Sequence, residues 1–397
     1  MKTEILLSIV LGIAIGTASL TNLRIYDVIG LSEFLLLLIV IYLILNYGKT
    51  LFSFKINSIK GLIKVILFLN IFFISPFITF LNFFALHMQK SEPKYLISFM
   101  MGWIIMFGIY NLLVKNKVNM EKIVMISSII FILLNFIAFI FFYDISLYGG
   151  ESIYVEQRLK GFSKNPNQMA FYSSVMIIFI FMFVNSLTIV HKIFLILPII
   201  YIGFLSGSDA FVISLIISSL FFGLLYLIKK FKFGLLLVIS LTFLIFSFSF
   251  YIICCQLEIF KLILYKIDKD GLRVALLVNG IKSILYYPFT GLGPGSYSGI
   301  SSPFEGMEIH NSFLDFASQY GIVSLLSIIT VFFLSLKKEI EKNNYLNASM
   351  IIFFLTMNLF HNFSRHFVFW LFIGIFYFRA FYEKETANYL KKDNINV

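Results

Sequence analysis

The sequence predicts an all-α integral membrane protein of about twelve transmembrane helices, with a long external loop that carries short interfacial helices. Three observations support this fold class. Hydrophobic residues make up 60% of the chain and charged residues only 13%, whereas a soluble domain carries roughly 25% charged residues. Apolar stretches near the length of a bilayer crossing recur along the chain. Between them lie short polar segments that hold most of the lysines.

Each span is placed where an apolar stretch approaches the ~20 residues that cross the hydrocarbon core. The predicted spans lie near 5–20, 29–47, 62–84, 95–114, 123–142, 169–189, 193–205, 210–227, 234–255, 313–336, 347–359 and 366–380. The first span resembles a signal peptide, but we expect it to be uncleaved because many spans follow it.

The spans divide the chain into four parts. Residues 1–255 hold spans one to nine and an external loop over 143–168. Residues 256–312 form a second external loop, which we expect to be catalytic, and residues 313–380 hold the last three spans. Residues 381–397 form a polar tail.

The distribution of positive charge predicts the orientation in the membrane. With the N-terminus in the cytoplasm, the shorter, inside segments hold most of the lysines, so both termini are predicted to be cytoplasmic. The net charge of +11 is therefore a signal of topology, and no nucleic-acid partner is expected. Cys254 and Cys255 are adjacent and have no zinc-site spacing, so no metal or other cofactor is expected.

The arginines are distributed differently from the lysines. Four of them fall in predicted external segments, namely Arg24, Arg158, Arg273 and Arg365, and only Arg379 falls inside. Lysine is sufficient to set topology, whereas the planar guanidinium binds phosphate through two parallel hydrogen bonds. The external face is therefore predicted to bind an anion; chance in a small sample is the alternative.

The second external loop has a pattern of its own. Leu272–Tyr287 has near-helical apolar spacing, which suits an interfacial helix. A glycine-rich turn around Pro294 follows and must bend the backbone. Ser312 and Asp315 have capping-box spacing, which predicts a helix start beside His310 and Asn311. Such a helix end favours anions; an ordinary interfacial loop is the alternative.

Three motifs in this order resemble the O-antigen ligase and Wzy polysaccharide polymerase family. They are Arg158-Leu-Lys-Gly161 with Asn165-Pro166-Asn167, then Arg273 through Gly291-Leu-Gly-Pro-Gly295, then His310-Asn311 before the next span. The resemblance implies a C-type inverting glycosyltransferase of the bacterial inner membrane that needs no metal. Its donor would be a glycan on polyprenyl (undecaprenyl) diphosphate, bound on the external face.

The resemblance also implies roles for individual residues. Arg158 and Arg273 would bind the diphosphate and His310 would activate the acceptor hydroxyl. Substrate contacts would come from Asn165, Asn167, Asp209, Gly293, Gly295, Asn311 and Arg365. One position departs from the family pattern: Ser206-Gly-Ser-Asp209 stands where members often have Ser-x-Ser-Arg. Asp209 could instead pair with Arg273 or contact a sugar hydroxyl.

These roles agree with elementary chemistry. A sugar hydroxyl is a poor nucleophile, and histidine, with a pKa of ~6.5, is suited to accept its proton. Negative charge grows on the diphosphate as the anomeric bond breaks, and each preorganised donor is worth ~3 kcal/mol in comparable oxyanion sites.

Other polar residues have weaker functional readings. Arg365, flanked by His361 and His366, could close the site from the other side. Glu33, at the outer start of the second span, is either functional or merely interfacial. Asp268 and Asp270 resemble a metal-binding motif, but neighbouring lysines would compete with a cation there. Tyr286 and Tyr287 could stack on sugars, but a place in the interfacial aromatic belt is favoured.

The favoured function is a polymerase of cell-surface polysaccharide that extends a lipid-linked repeat unit. The first alternative is an O-antigen ligase, which transfers the glycan to lipid A core or a protein. The second is a transporter such as a polysaccharide-lipid flippase, which would show repeats and broken spans. A purely structural subunit explains neither the arginines nor the turn. Expected partners are membrane lipid and the chain-length regulator and flippase of the same pathway.

Overall fold

The fold is a bundle of helices. A computed structural model describes residues 2–25, 29–47, 59–86, 93–115, 118–141, 152–155, 157–231, 271–295 and 307–382. About 80% of the structure is helical. The ninth predicted span, the tail beyond residue 382, and Asp268 and Asp270 lie outside the described residues.

The helices follow the predicted spans closely. Their bounds are α1 Lys2–Gly16, α2 Leu31–Tyr47, α3 Ile59–Leu69, α4 Ser75–Leu86, α5 Pro93–Val114, α6 Met120–Phe141, α7 Pro166–Phe183, α8 Ile189–Leu205, α9 Asp209–Phe231, α10 Gly271–Tyr286, α11 Ser312–Tyr320, α12 Ile322–Glu341, α13 Tyr345–Phe360 and α14 Phe367–Phe381. A π-helical segment over Asn70–Ile74 joins α3 to α4, and a short 3-10 turn covers Thr21–Leu23.

The helices are those of an all-α membrane protein, but the count of twelve spans is not confirmed. Within the described residues, five helices are long and apolar enough to cross a bilayer: Gly61–Ala85, Pro93–Val114, Met120–Phe141, Pro166–Phe183 and Asp209–Lys230. The other apolar helices among those residues, such as Tyr345–Phe360 and Phe367–Phe381, are shorter.

The centre of the bundle is formed by α7 and α14. Both are apolar on nearly all faces and buried along most of their length, as expected of helices with no lipid-facing side. Helix α14 packs against α5 and α12, and α7 packs against α8 and α13. Phe179 on α7 lies against Phe372 on α14, with ring centroids 4.9 Å apart.

One end of the bundle collects segments that are predicted to be inside. The Arg379 guanidinium donates to the Glu339 carboxylate at 2.9 Å, and both side chains are buried. Lys338 Nζ donates to the Arg379 carbonyl oxygen at 2.5 Å. The Tyr377 hydroxyl donates to the Lys64 carbonyl oxygen at 2.6 Å. The single predicted inside arginine therefore has a structural partner. The opposite end, which carries the start of α5 and the loops before α2, α7, α9 and α14, is called the cleft end below.

The tenth predicted span is wrong as a continuous helix. It is broken at Gly321, which has φ +84° and ψ 161°; this is a region that only glycine adopts readily. The break leaves α11 as a short helix and begins the longer α12 at Ile322. A hydropathy pattern cannot show such a break because the residues on both sides are apolar.

The glycine-rich turn fills the break. The backbone N–H groups of Leu292 and Gly293 donate to the carbonyl oxygens of Ser318 and Gln319 at 2.8 and 2.9 Å. The Ile322 N–H donates to the Pro288 carbonyl oxygen at 2.7 Å. Backbone groups that a helix break exposes away from water need such partners. The turn therefore connects the end of α10 to the α11–α12 break through backbone hydrogen bonds.

One predicted loop contains regular structure, and one local prediction also needs correction. The predicted external loop over 143–168 contains a two-stranded antiparallel hairpin, with β1 at Tyr154–Val155 and β2 at Arg158–Leu159. Helix α11 does begin at Ser312 as predicted, but Asn311 caps it by accepting from the N–H groups of Phe313 and Leu314. The Asn side chain provides this cap because it is short and can reach both donors.

Candidate functional site

The cleft end contains a cleft whose empty space, with the part that is open solvent included, is about 720 Å³. It forms where the segments before α2, α7 and α14 meet the first turns of α5. Its lining residues are Thr21, Arg24, Glu33, Lys94, Tyr95, Ser98, Met101, Lys164, Gln168, Arg365, His366 and Phe367. We call it the basic cleft because four of these side chains are cationic and one is a carboxylate.

Each cation of the basic cleft is held by a separate element. Arg24 follows the 3-10 turn, and Lys94 lies in the first turn of α5. Lys164 precedes the α7 cap, and its backbone N–H donates to the Thr21 hydroxyl at 2.8 Å. Arg365 lies in the loop before α14, where its carbonyl oxygen accepts from the Ser98 hydroxyl at 3.0 Å. These two hydrogen bonds thus fix the backbone at Lys164 and at Arg365.

Arg24 and Glu33 form a buried ion pair at the wall of the cleft. The Glu33 carboxylate also accepts from the Gly30 N–H at 3.0 Å and the Ser32 hydroxyl at 2.7 Å. Burial alone would lower the pKa of Arg24, but Tyr172 and Glu33 outweigh it and the pKa is raised. Arg24 is therefore charged and held in place, and Glu33, which the sequence left ambiguous, is its anchor.

His366 is the N-cap residue of α14 and lies buried in the same cleft. Its Nδ1 lies 3.1 Å from the Tyr172 hydroxyl of α7. Burial, together with the positive charges of Arg24 and Arg365, lowers the pKa of His366 well below its ordinary value. The imidazole is therefore neutral at neutral pH, because burial and the cationic surroundings both oppose its protonation.

Arg158 makes its described contacts beside the basic cleft rather than in its lining. Its Nε donates to the Ser206 carbonyl oxygen at 2.9 Å, and its Nη2 donates to the Asn167 side-chain oxygen at 2.8 Å. The side chain also packs across Gly207, which has φ +58°. Asp209 begins α9 and is exposed. Two predicted site residues, Arg158 and Asn167, are thus together, and they clamp the turn before α9.

His310 lies at the rim of this end of the bundle. Its ring is exposed, and its centroid lies 6.4 Å from that of His361 at the end of α13. Glu308, two residues earlier, forms an ion pair with Arg365 of the basic cleft. The structure therefore connects the predicted base to the cleft through Glu308 and Arg365.

A scan against known protein families finds no matching family, and no curated protein matches the chain.

The other predicted site residues have mainly structural contacts. Asn165 caps α7 by accepting from the Gln168 N–H at 2.9 Å. Gly293 packs on the backbone of Phe83, and Gly295 packs on the Tyr95 ring. Asn311 caps α11. Arg273 lies in the first turn of α10, and its side chain is outside the described part of the structure, so its predicted pairing with Asp209 stays a prediction.

The sequence did not indicate that Ser312 and Asp315 position the loop before α14. The Ser312 hydroxyl donates to the His361 carbonyl oxygen at 2.7 Å and accepts from the Phe363 N–H at 2.8 Å. The buried Asp315 carboxylate accepts from the Ser364 hydroxyl at 2.9 Å. Helix α11 therefore holds the loop that carries His361, Arg365 and His366.

Three lysine or arginine residues of the cleft were also not singled out as site residues, namely Arg24, Lys94 and Lys164. Arg24 carried a signal, because it belongs to the set of external arginines. The two lysines carried none, since they look like any loop lysine. In the part of the chain that the structure describes, no group of three or more His, Cys, Asp or Glu side chains is placed to hold a metal ion.

Proposed function

We propose that the chain is a membrane-embedded inverting glycosyltransferase of the O-antigen ligase and polymerase type, acting as a polysaccharide polymerase. It transfers a glycan from a polyprenyl diphosphate donor to the terminal sugar of a lipid-linked repeat unit, outside the cytoplasm. The observation that carries the proposal is the basic cleft at one end of an apolar helix bundle.

The cleft suits the diphosphate of such a donor. A diphosphate linked at both ends carries two negative charges. Arg24 is offset by Glu33 and Arg365 by Glu308, but Lys94 and Lys164 add further positive charge around the same space. Arginines and lysines fixed around a leaving group stabilise the charge that develops on it. The apolar helices beside the cleft allow the lipid tail to stay in the bilayer.

The acceptor side of the reaction is assigned to His310. The acceptor hydroxyl oxygen attacks the anomeric carbon, and the bond from that carbon to the diphosphate oxygen breaks. His310 accepts the hydroxyl proton, and polyprenyl diphosphate leaves with the bonding electron pair. His310 is exposed near His361, and the Glu308–Arg365 pair links it to the cleft.

We assign the diphosphate first to Arg365 and Arg24 with the two lysines of the cleft. Arg158 and Arg273 stay predicted diphosphate ligands. The hydrogen bonds that Arg158 makes to Ser206 and Asn167 support a role in shaping the site.

A lipid-glycan transporter is the second candidate. The break at Gly321 favours it, because transporters often place binding sites at discontinuous helices. Against it, the break is filled by the protein's own backbone at Leu292 and Gly293.

Reconstitution distinguishes these functions. The purified chain in nanodiscs is given a polyprenyl diphosphate-linked repeat unit, and the products are sized. Longer lipid-linked glycans are expected for a polymerase, and growth only on added lipid A core would indicate a ligase. Movement of the lipid across a proteoliposome membrane without transfer would contradict the proposal and support the transporter.

A matched pair of variants tests the cleft itself. Arg365→Gln should weaken donor binding and lower the transfer rate, because it removes a charge from the cleft. Lys337→Gln is the control, because Lys337 is exposed on α12 near the opposite end. Equal transfer by the two variants would remove Arg365 from the site.

A further inference from the structure

His366 is in an unusual position for a histidine. It is buried, it lines the basic cleft, and its Nδ1 is engaged by the Tyr172 hydroxyl at 3.1 Å. This leaves Nε2 as the nitrogen available to a ligand in the cleft. The proposed transfer reaction does not use this side chain.

A polar chain connects His366 to the carboxylate of α2. Glu33 forms an ion pair with Arg24, and the Arg24 guanidinium lies close enough to Tyr172 to contribute a hydrogen bond. The Tyr172 oxygen can accept from the guanidinium and also from the Nδ1–H of His366, because a hydroxyl oxygen has two lone pairs. In that tautomer the neutral imidazole has no proton on Nε2, so a proton taken up from solvent is placed on the nitrogen that is left for a ligand.

The charges around His366 oppose its protonation. Arg365 is its neighbour in the chain and is paired with Glu308. The titratable or charged groups on other elements of this region are Arg24, Glu33, Lys94, Tyr95, Lys164 and Tyr172. The four cations outnumber the two carboxylates. Burial and the charges of Arg24 and Arg365 accordingly lower the pKa of His366.

An anion in the cleft would reverse this balance. Two phosphate charges between Arg24 and Arg365 would neutralise the field that keeps the imidazole uncharged. A protonated imidazole would add a charge-assisted hydrogen bond to a phosphate oxygen. We propose that His366 is a proton-coupled ligand of diphosphate, taking up one proton from solvent as the anion enters the basic cleft and binding it through Nε2. The inference rests on the proposed function for its choice of ligand.

Linkage gives the direction of the pH effect. The free protein holds His366 neutral, and the complex holds it protonated, so anion affinity must rise as pH falls. Between the two pKa values the affinity changes by up to about tenfold per pH unit. Below the pKa of the free protein the affinity no longer changes.

The test is calorimetric titration of the purified full-length chain with P1,P2-dibutyl diphosphate. This probe has no group that titrates near neutral pH, so any proton taken up belongs to the protein. Heats are measured in buffers of different ionisation enthalpy. The parent should take up about one proton per anion at neutral pH. His366→Gln should still bind the anion, more weakly, with proton uptake near zero.

His191→Gln is the matched control, because His191 is an exposed histidine at the start of α8, where it bonds Thr188. It should keep the parental proton uptake. Failure of the parent to bind the probe, binding without proton uptake, or parental uptake by His366→Gln would each overturn the inference. Proton-coupled binding without glycan transfer in the reconstituted system would overturn the proposed function alone.

Discussion

Gly321→Ala should be among the most damaging small substitutions in the chain. Gly321 has φ +84° and ψ 161°, a conformation that costs a residue with a side chain ~1–3 kcal/mol. An added Cβ would lie 2.2 Å from the carbonyl oxygen of Phe289. Relieving that overlap requires a backbone shift worth a further ~1–3 kcal/mol. The free energy of unfolding should therefore fall by about 2–6 kcal/mol.

The consequence should reach the site. Helix α11 ends at the break, and its Ser312 and Asp315 hold the loop that carries Arg365 and His366. A shift of the break would therefore disturb the basic cleft as well as the stability. Diphosphate binding should weaken in the same variant.

Gly223→Ala is the matched control. Gly223 lies in the interior of α9, and an added Cβ would meet no atom within 4 Å. Alanine is the better helix former, so the free energy of unfolding should rise by up to about 1 kcal/mol or stay unchanged. The assay is unfolding in mixed micelles with increasing SDS, followed by the fluorescence of Trp103 and Trp370. If Gly321→Ala cannot be purified, its melting temperature is measured in crude detergent extracts. Equal stability of the two variants would refute the strain argument.

Three further predictions concern the catalytic base, the clamp and the topology. His310→Ala should leave donor binding nearly intact and lower turnover by about 10²–10⁴-fold, with transfer and binding measured separately. Normal turnover would show that His310 is not the catalytic base. Arg158→Lys should lower the free energy of unfolding by about 1–3 kcal/mol, because one ammonium cannot replace both hydrogen bonds of the guanidinium; an unchanged melting transition would contradict this. In a chain without its native cysteines, Val155→Cys should react with an impermeant thiol reagent on spheroplasts, and Glu341→Cys only after the membrane is opened; the reverse pattern would invert the topology.

Much of the helical framework could be predicted from the sequence. Each predicted span within the described residues coincides with helical structure, because an apolar stretch of that length has few other stable forms. The start of α11 near Ser312 was also predictable from local capping chemistry. The break at Gly321 was not, because it depends on the backbone of residues 288–293 docking beside it.

The candidate site, like the fold, could be predicted only in part from the sequence. The enrichment of arginine in predicted external segments pointed to an anion, and Arg24 and Arg365 are indeed among the residues of the basic cleft. The lysines at 94 and 164 could not be distinguished from other loop lysines, since their role depends on segments far apart in the chain being brought together.

The sequence alone determined which segments are apolar enough to be helices and which residue types could bind an anion, because both follow from composition and local spacing. Only the tertiary structure decided which cations share one cleft, that Arg158 clamps a turn, and that His366 is buried beside Tyr172. Those outcomes depend on burial and on contacts between distant segments. The same side chain is a solvated group with an ordinary pKa at the surface, and a group with a shifted pKa when it is buried beside charges.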